Sequence, residues 1–184
     1  MFKGVLVPLL LVGVAFPLLA QCELNKLTSS DGMEHDYFGA TLTAHHGVAF
    51  LAAWFADGAE SGAGAVYLYR SLGSEWIEEQ VISASDGKAG DYFGVSVAAD
   101  SERVMVGAYL ASGVFCHSGA AYLYRHDGNQ WTEEHKLTAP DAASGDIFGL
   151  AVSVDGDVAL VGAPGSDAGG DNRGCAYLFR HTES

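Results

Sequence analysis

Seven histidines and 23 acidic residues supply the side chains of this sequence that could do chemistry. Histidines and carboxylates transfer protons or bind metal ions when folding brings them together. The histidines lie at scattered positions, and no nucleophile elbow, HExxH zinc motif or phosphate-binding loop accompanies them. Only His126 and His181 hold equivalent positions in the 55-residue repeat described below, and each directly follows an arginine at the end of a predicted strand. We therefore predict no catalytic residue and no cofactor.

The chain is strongly acidic, with a net charge of −14 from 9 basic and 23 acidic residues. Such a surface repels nucleic-acid phosphates and anionic lipid headgroups, so it argues against nucleic acid as a partner. Solvation of a soluble or secreted protein is the simplest explanation of the acidity. Hydrophobic residues make up 49% of the 184 residues, which is enough for one domain with a substantial core.

The first twenty residues differ in kind from the rest of the chain. Lys3 precedes an apolar run from Val5 to Leu19, and Ala20 follows it, which is the layout of a secretory signal peptide (residues 1–20). We therefore expect a secreted, extracellular or cell-surface protein, with the periplasm included. Cys22 stands as in a bacterial lipobox, although Gln21 replaces the usual small residue. Lipid anchoring through Cys22 is the alternative, and we expect association with a membrane only in that case.

Three cysteines are present, at positions 22, 116 and 175. An odd number allows one disulfide bond at most, and no sequence feature selects a pair. Cys175 takes the place that alanine holds in the equivalent positions 65 and 120, which indicates a small core residue.

A repeat with a period of 55 residues organises the remainder of the chain. The motifs DYFG, DYFG and DIFG place Phe38, Phe93 and Phe148 at this spacing, and AVYLYR, AAYLYR and CAYLFR follow at the same step. Other sets keep the step without one insertion: Leu27, Ile82 and Leu137; Asp31, Asp86 and Asp141; Gly64, Gly119 and Gly174; Arg70, Arg125 and Arg180. A fixed period of this length indicates stacked or radially arranged units that cannot bury their apolar faces alone.

Each unit is predicted to contain four short strands, because apolar or alternating runs are separated by turn residues. In the second unit these runs are 93–100, 103–109, 120–125 and 131–138. Four meandering strands, with the most polar strand outermost, describe the blade of a β-propeller. We therefore predict an all-β, propeller-like fold of three four-stranded blades, as an open arc or part of a ring. Its innermost strands should lie near 38–44, 93–99 and 148–154.

The motifs DIFG, VALVGAP and GCAYLFR together resemble the FG-GAP repeat of integrin α-subunit β-propellers. They are closer still to FG-GAP repeats of secreted bacterial and environmental proteins, in which W-x-E-x-K-L-T precedes each Phe-Gly. The resemblance covers the mature chain as three repeats, about 22–75, 76–130 and 131–184. The GAP element decays toward the N-terminus, from VGAP (161–164) through VGAY (106–109) to LAAW (51–54).

The resemblance implies a structural role for the motif residues. In the family, Phe-Gly opens the innermost strand, while the GAP turn and a later glycine shape the neighbouring loop on the same face. Phenylalanine can fill the space between blades, and glycine permits a backbone approach that a Cβ would block. The residues implied are Phe38, Gly39, Phe93, Gly94, Phe148, Gly149, Gly162, Ala163, Pro164, Gly64, Gly119 and Gly174.

The resemblance also suggests calcium as a candidate ligand, because integrin propellers bind Ca²⁺ in Asp-rich hairpins between FG and GAP. Here only Asp155 and Asp157 occupy that short turn in the third repeat, and the first repeat has His45-His46 instead. Since Ca²⁺ takes about six to eight oxygen ligands, we expect no metal site. The loop 165–174, with Asp167 and Asp171, is a second weak candidate that solvation of a turn explains better.

Two classes of function remain. The resemblance favours a non-catalytic interaction or adhesion module that binds an unknown protein or glycan through loops on the FG-GAP face. Aromatic residues of these loops suit recognition, although packing between blades explains them equally well: Trp54, Phe55, Tyr109 and Phe115. The alternatives are a hydrolase-like enzyme or enzyme subunit with an acidic central pocket, and a non-functional fragment of a longer propeller.

The number of repeats leads to a prediction about assembly. Propellers have about four to eight blades, whereas this sequence encodes three, starting with a fourth strand (about 22–28) and ending with a third (175–180). Exposed faces and unpaired edges favour self-association. We expect a homodimer that completes a six-bladed ring, in which each chain lends residues 22–28 to the other's last blade. A truncated larger propeller is the alternative.

Overall fold

The computed structural model describes residues 25–111, 115–167 and 173–181. Regular secondary structure in these ranges is entirely β-strand, which confirms the all-β prediction. Within the same ranges no helix is long and apolar enough to cross a membrane. The predicted signal peptide and Cys22 lie outside the described residues.

Eleven strands form three antiparallel sheets that follow the repeat. Blade 1 contains β1 (Thr41–His45), β2 (Val48–Ala53), β3 (Ala65–Leu72) and β4 (Glu75–Ile82). Blade 2 contains β5 (Ser96–Ala99), β6 (Arg103–Ala108), β7 (Ala120–His126) and β8 (Trp131–Leu137). Blade 3 contains β9 (Ala151–Asp155), β10 (Val158–Ala163) and β11 (Cys175–Arg180). Each sheet is a simple meander, so the blades form a propeller-like arc.

The middle strands are apolar on both faces because each blade packs between neighbours. In β7, Tyr122 joins a buried cluster with Phe50 and Leu68 of blade 1. The next residue, Leu123, points to the opposite face and joins a second cluster with Phe148 of blade 3. Alternate side chains of a strand lie on opposite faces, so one strand supplies both cores. This two-sided burial is what the uninterrupted apolar runs of the sequence encode.

The innermost strands begin three residues later than predicted, at Thr41, Ser96 and Ala151 rather than at the phenylalanines. The Phe-Gly residues instead belong to a turn with left-handed backbone, in which Tyr92 has φ of 57° and Gly94 has φ of 99°. The aspartate that begins each motif stabilises this turn. Asp91, for example, accepts a hydrogen bond from the backbone N–H of Lys88 at 2.9 Å.

The fourth strand of blade 3 is not found among the described residues, since β11 pairs with β10 alone. The predicted N-terminal strand at 22–28 is also not observed over its described part, because residues 25–28 do not pair with a strand. Those residues nonetheless lie on blade 1. Leu27 packs against a buried cluster that contains Tyr67 and Tyr69, and Thr28 accepts a hydrogen bond from Tyr69.

Candidate functional site

The FG-GAP face is built by backbone contacts between successive blades. The N–H of Phe93 donates to the carbonyl of Ala63 at 2.9 Å, and the N–H of Phe148 donates to that of Ser118 at 3.0 Å. Gly64 and Gly119 lie so close to these phenylalanines that a Cβ on either glycine would overlap the phenylalanine carbonyl oxygen. A side chain at Gly64 or Gly119 would therefore disturb the contact between successive blades.

The remaining motif residues divide between buried contacts and open positions. Gly94 and Gly149 also lie against the preceding blade, whereas Gly39 has open space where a Cβ would stand. Phe93 and Phe148 are fully buried, but Phe38 is only half buried because no described blade precedes it. Ala163 is buried in β10, between Gly162 and the exposed Pro164, and Pro164 contacts Gly174.

Five aromatic residues form a continuous strip across the loops of this face: Tyr37, Trp54, Phe55, Tyr92 and Tyr109. We call this set the aromatic strip. The ring centroids of Phe55 and Tyr92 are 4.7 Å apart, those of Tyr37 and Phe55 are 5.3 Å apart, and those of Tyr92 and Tyr109 are 5.8 Å apart. Tyr37 remains 55% exposed and Phe55 remains 40% exposed. The strip is thus a surface feature supported by half-buried rings.

The strip contains three of the four aromatic residues that the sequence predicted as candidates for partner recognition. Trp54, Phe55 and Tyr109 are brought together, whereas Phe115 is exposed and makes no ring contact with the described residues. Tyr37 and Tyr92 were not nominated, although they hold the same position in DYFG as Ile147 holds in DIFG. Their left-handed backbone, with φ of 57° at both, turns the side chains toward this face.

Acidic residues surround one end of the strip. Loops 29–37 and 54–63 contain five acidic residues and neither lysine nor arginine. Asp31, Asp36, Asp57 and Tyr67 line a cleft of about 220 Å³, and Asp36 directly precedes Tyr37 in the chain. Because carboxylates accept hydrogen bonds, this end suits a partner that offers hydroxyl, amide or cationic groups.

Tyrosine hydroxyls attach the loop before each innermost strand to the third strand of the blade. Tyr67 donates to Asp31 at 2.7 Å, Tyr122 to Asp86 at 2.8 Å and Tyr177 to Asp141 at 2.6 Å. Burial, together with the hydrogen bond to Asp86, raises the pKa of Tyr122 well above its usual value. Burial tends to raise the pKa of Asp86 as well, but hydrogen bonds from Lys136 and Tyr122 lower it below its usual value.

Because of Tyr122 and Tyr124, we expect the protein to lose stability in alkali. Burial raises the pKa of Tyr124 as it does that of Tyr122, so both phenols stay protonated in the folded state above their unfolded pKa of about 10. Their contribution is complete below that pH and falls as pH rises above it, because the unfolded state then releases their protons. We expect a loss of about 1 kcal/mol for each of the two at about pH 11. Urea unfolding at a series of pH values measures this loss, and Tyr122→Phe should show a shallower decline. An equal decline in both proteins would contradict the prediction.

The predicted weak metal candidates do not come together as a ligand set in the described residues. Asp157 pairs with Arg180 at 3.6 Å, and Asp155 ends β9. Asp167 forms no three-ligand group with described residues, and Asp171 lies outside the described ranges. Asp155, Asp157 and Asp167 therefore form no oxygen-rich cage of the kind that Ca²⁺ requires with other described residues.

Sequence reasoning missed a different cluster, Glu134, His135 and His181, whose ligand atoms lie within 4.8 Å of one another. A β-bulge in β8 brings the adjacent residues Glu134 and His135 together, since Leu123 pairs with His135 and Tyr124 pairs with Glu133. Arg103 and Arg125 each lie 3.9 Å from a Glu134 carboxylate oxygen. Two neighbouring guanidinium groups oppose the binding of a cation there.

A family model described as FG-GAP repeat matches the chain three times, at residues 22–69, 76–124 and 131–179. Each match covers the first two strands of one blade and ends within its third strand, while the second and third matches begin in the fourth strand of the preceding blade. A comparison with curated proteins gives no match.

Proposed function

The chain belongs to the FG-GAP repeat family, and on that premise we propose that it is a non-catalytic interaction module that binds a protein or glycan through the aromatic strip. A β-propeller-type module offers its loops as a binding face, but the fold alone does not determine the function. The proposal therefore depends on the chemistry of one surface.

The observation that carries the proposal is the continuity of the strip. Isolated exposed aromatic residues are common, whereas contiguous exposed aromatic surface is typical of binding sites. Tyr37 and Phe55 expose their rings, and Trp54, Tyr92 and Tyr109 hold them in place. Rigid aromatic side chains bind with little loss of conformational freedom, which makes them effective anchors.

The negative charge around the strip restricts the chemical classes of partner that it can bind. The acidic cleft that Asp36 lines suits the hydroxyl groups of a neutral glycan or the basic groups of a protein. The net charge of −14 opposes nucleic acid and anionic lipid. An apolar or hydroxyl-rich surface with some positive charge is therefore the preferred partner.

The composition of the innermost strands favours binding over catalysis. A hydrolase-like site at the centre of the arc would need paired carboxylates or another acid and base near one another. Among the residues of β1, β5 and β9, the only carboxylate is Asp155, at the end of its strand. We propose that the chain has no catalytic activity of its own and acts outside the cell or at its surface, following the signal-like residues 1–20.

Substitutions in the strip test this function. Phe55→Ser and Tyr37→Ser should each weaken binding by about tenfold or more, since exposed aromatic anchors contribute about 1–2 kcal/mol or more to an interface. The chain is applied to a glycan array and to a panel of extracellular matrix proteins, and the affinity of each binder is compared among variants.

Ile77→Ser is the matched control. Ile77 is an exposed apolar residue of β4, and β4 contains no residue of the aromatic strip. It should leave binding unchanged. Failure to bind either array, or equal binding by wild type and both strip variants, would contradict the proposal. Turnover in a parallel hydrolase screen would favour the enzyme alternative.

A further inference from the structure

A cleft of about 550 Å³ lies between blades 2 and 3. Leu123, His135, Phe179 and His181 are among its lining residues. The repeat-equivalent residues between blades 1 and 2 are Leu68, Gln80, Tyr124 and His126. In that equivalent space only a smaller cleft of about 170 Å³ remains, and Trp131, the first residue of the fourth strand of blade 2, is part of its lining.

Trp131 shows how such a space is filled. Its ring lies 5.2 Å from that of Phe50 and 5.1 Å from that of His126, measured between centroids. The side-chain amide of Gln80 fixes its backbone, donating to the Trp131 carbonyl at 2.7 Å and accepting from the Trp131 N–H at 2.8 Å. The fourth strand of blade 2 thus pairs with its own blade and, through Trp131, also binds the preceding blade.

Blade 3 exposes an apolar face that the other blades bury. Leu160 and Leu178 are 43% and 64% exposed. Their equivalents are Phe50 and Leu68 in blade 1 and Met105 and Leu123 in blade 2, all of which are buried. The other edge of β11 also carries no described partner strand. Both features are those of a surface that a further strand and blade would cover.

A charged group at this edge indicates which strand fits. In blade 2, Lys136 of the fourth strand binds Asp86 at 2.6 Å and lies over the ring of Tyr122 at 5.2 Å. Blade 3 has the same aspartate and tyrosine, since Tyr177 donates to Asp141 at 2.6 Å. Among the described residues, no lysine of a fourth strand lies beside this pair in blade 3. The segment 22–28 supplies one at the equivalent position, Lys26, followed by Leu27 in the place of Leu137.

We propose that β11 binds residues 22–27 of a second copy of this chain as its fourth strand, so that two copies form a closed, six-bladed ring. In this register Lys26 of one chain lies opposite Tyr177 of the other and pairs with Asp141, as Lys136 lies opposite Tyr122. Leu27 lies opposite Ala176, and Asn25 lies opposite Leu178.

Residues 25–28 keep their contacts with their own blade 1 in this assembly. Asn25 donates to the carbonyl of Ser74 at 3.0 Å, and Tyr69 donates to the carbonyl of Thr28 at 2.8 Å. The repeat-equivalent of the second contact is the bond from Tyr124 to the carbonyl of Ser83, where the fourth strand of blade 1 passes to blade 2. These residues therefore contact blade 1 in the way that the end of the fourth strand of blade 1 contacts blade 2.

The two exposed ends of the arc complement each other. Blade 1 exposes Leu42, whose equivalent Val97 packs against the core between blades 1 and 2. In the ring, the Leu160 and Leu178 face of one copy covers the Leu42 face of the other. A two-fold axis generates both contacts at once, so the assembly closes at two copies.

The first test measures mass. Sedimentation equilibrium of the purified protein should give twice the mass of one chain. Leu178→Arg should raise the dissociation constant of the dimer by about tenfold or more, because an unpaired charge would be buried. Leu72→Arg is the matched control, since Leu72 is 57% exposed as the last residue of β3 and belongs to none of the three buried clusters. It should leave the mass doubled.

The second test identifies the segment. Carbodiimide treatment of a mixture of isotopically light and heavy chains should join Lys26 to Asp141 between one light and one heavy chain. The pair Lys136 and Asp86, at 2.6 Å within one chain, is the positive control for the reaction. A monomeric wild type, open polymers of unlimited size, or a Lys26–Asp141 link only within single chains would overturn the proposal.

Discussion

Replacing Phe93 with alanine is expected to lower the free energy of unfolding by about 3–5 kcal/mol. The side chain is fully buried and lies in the cluster shared by blades 1 and 2. Its ring centroid is 5.5 Å from that of Tyr122 and 6.0 Å from that of Tyr124. The backbone hydrogen bond from Phe93 to Ala63 at 2.9 Å holds the loop in place, which opposes collapse of the loop into the cavity. Equilibrium urea unfolding followed by tryptophan fluorescence measures the change.

Two companion variants define what this loss means. Phe148→Ala, at the fully buried equivalent between blades 2 and 3, should cost a similar amount. Glu79→Ala removes an ion pair with Arg70 at 2.9 Å, in which both side chains are about one third exposed. Such a surface pair contributes about 0–1 kcal/mol. If Phe93→Ala costs no more than Glu79→Ala, the packing role of the Phe-Gly motif is wrong.

The repeat made the blades predictable. A strand between two blades is apolar on both faces, so runs such as RVMVGA and AAYLYR are visible without knowledge of the fold. The period then gave the order of the strands, which the structure confirms. The error in the start of the innermost strands has a local cause. Tyr37, Tyr92 and Ile147 adopt positive φ values of 57°, 57° and 51°, which sequence patterns do not predict for residues other than glycine.

The candidate site was less predictable because neighbouring repeats assemble it. The strip combines Tyr37 and Phe55 of the first repeat with Tyr92 and Tyr109 of the second, and only packing of the blades brings these rings together. The repeated tyrosine of DYFG was the available clue, since an aromatic residue recurs there beside a fixed turn. The Glu134 and His135 cluster had no such clue, because a bulge breaks the alternation of side chains that strand patterns assume.

Replacing Gly119 with alanine is expected to lower the free energy of unfolding by about 2–4 kcal/mol. Gly119 has φ of 85° and forms a parallel bridge with Phe148 of the next blade. A Cβ there would overlap the carbonyl oxygen of Phe148 and lie 2.7 Å from its carbonyl carbon. These are backbone atoms, so no rotamer change relieves the overlap and blades 2 and 3 must separate. Urea unfolding of the variant measures the loss.

Gly90→Ala separates the two causes of this loss. Gly90 has φ of 83°, nearly the same as Gly119, but nothing lies within 4 Å of the position that its Cβ would take. Its substitution should cost only about 1 kcal/mol, the cost of left-handed backbone for alanine. The excess at Gly119 then measures the close approach of one blade to the next. Equal losses at both positions would mean that the repeat needs this glycine for its backbone conformation alone, and the contact between Gly119 and Phe148 would carry no stability of its own.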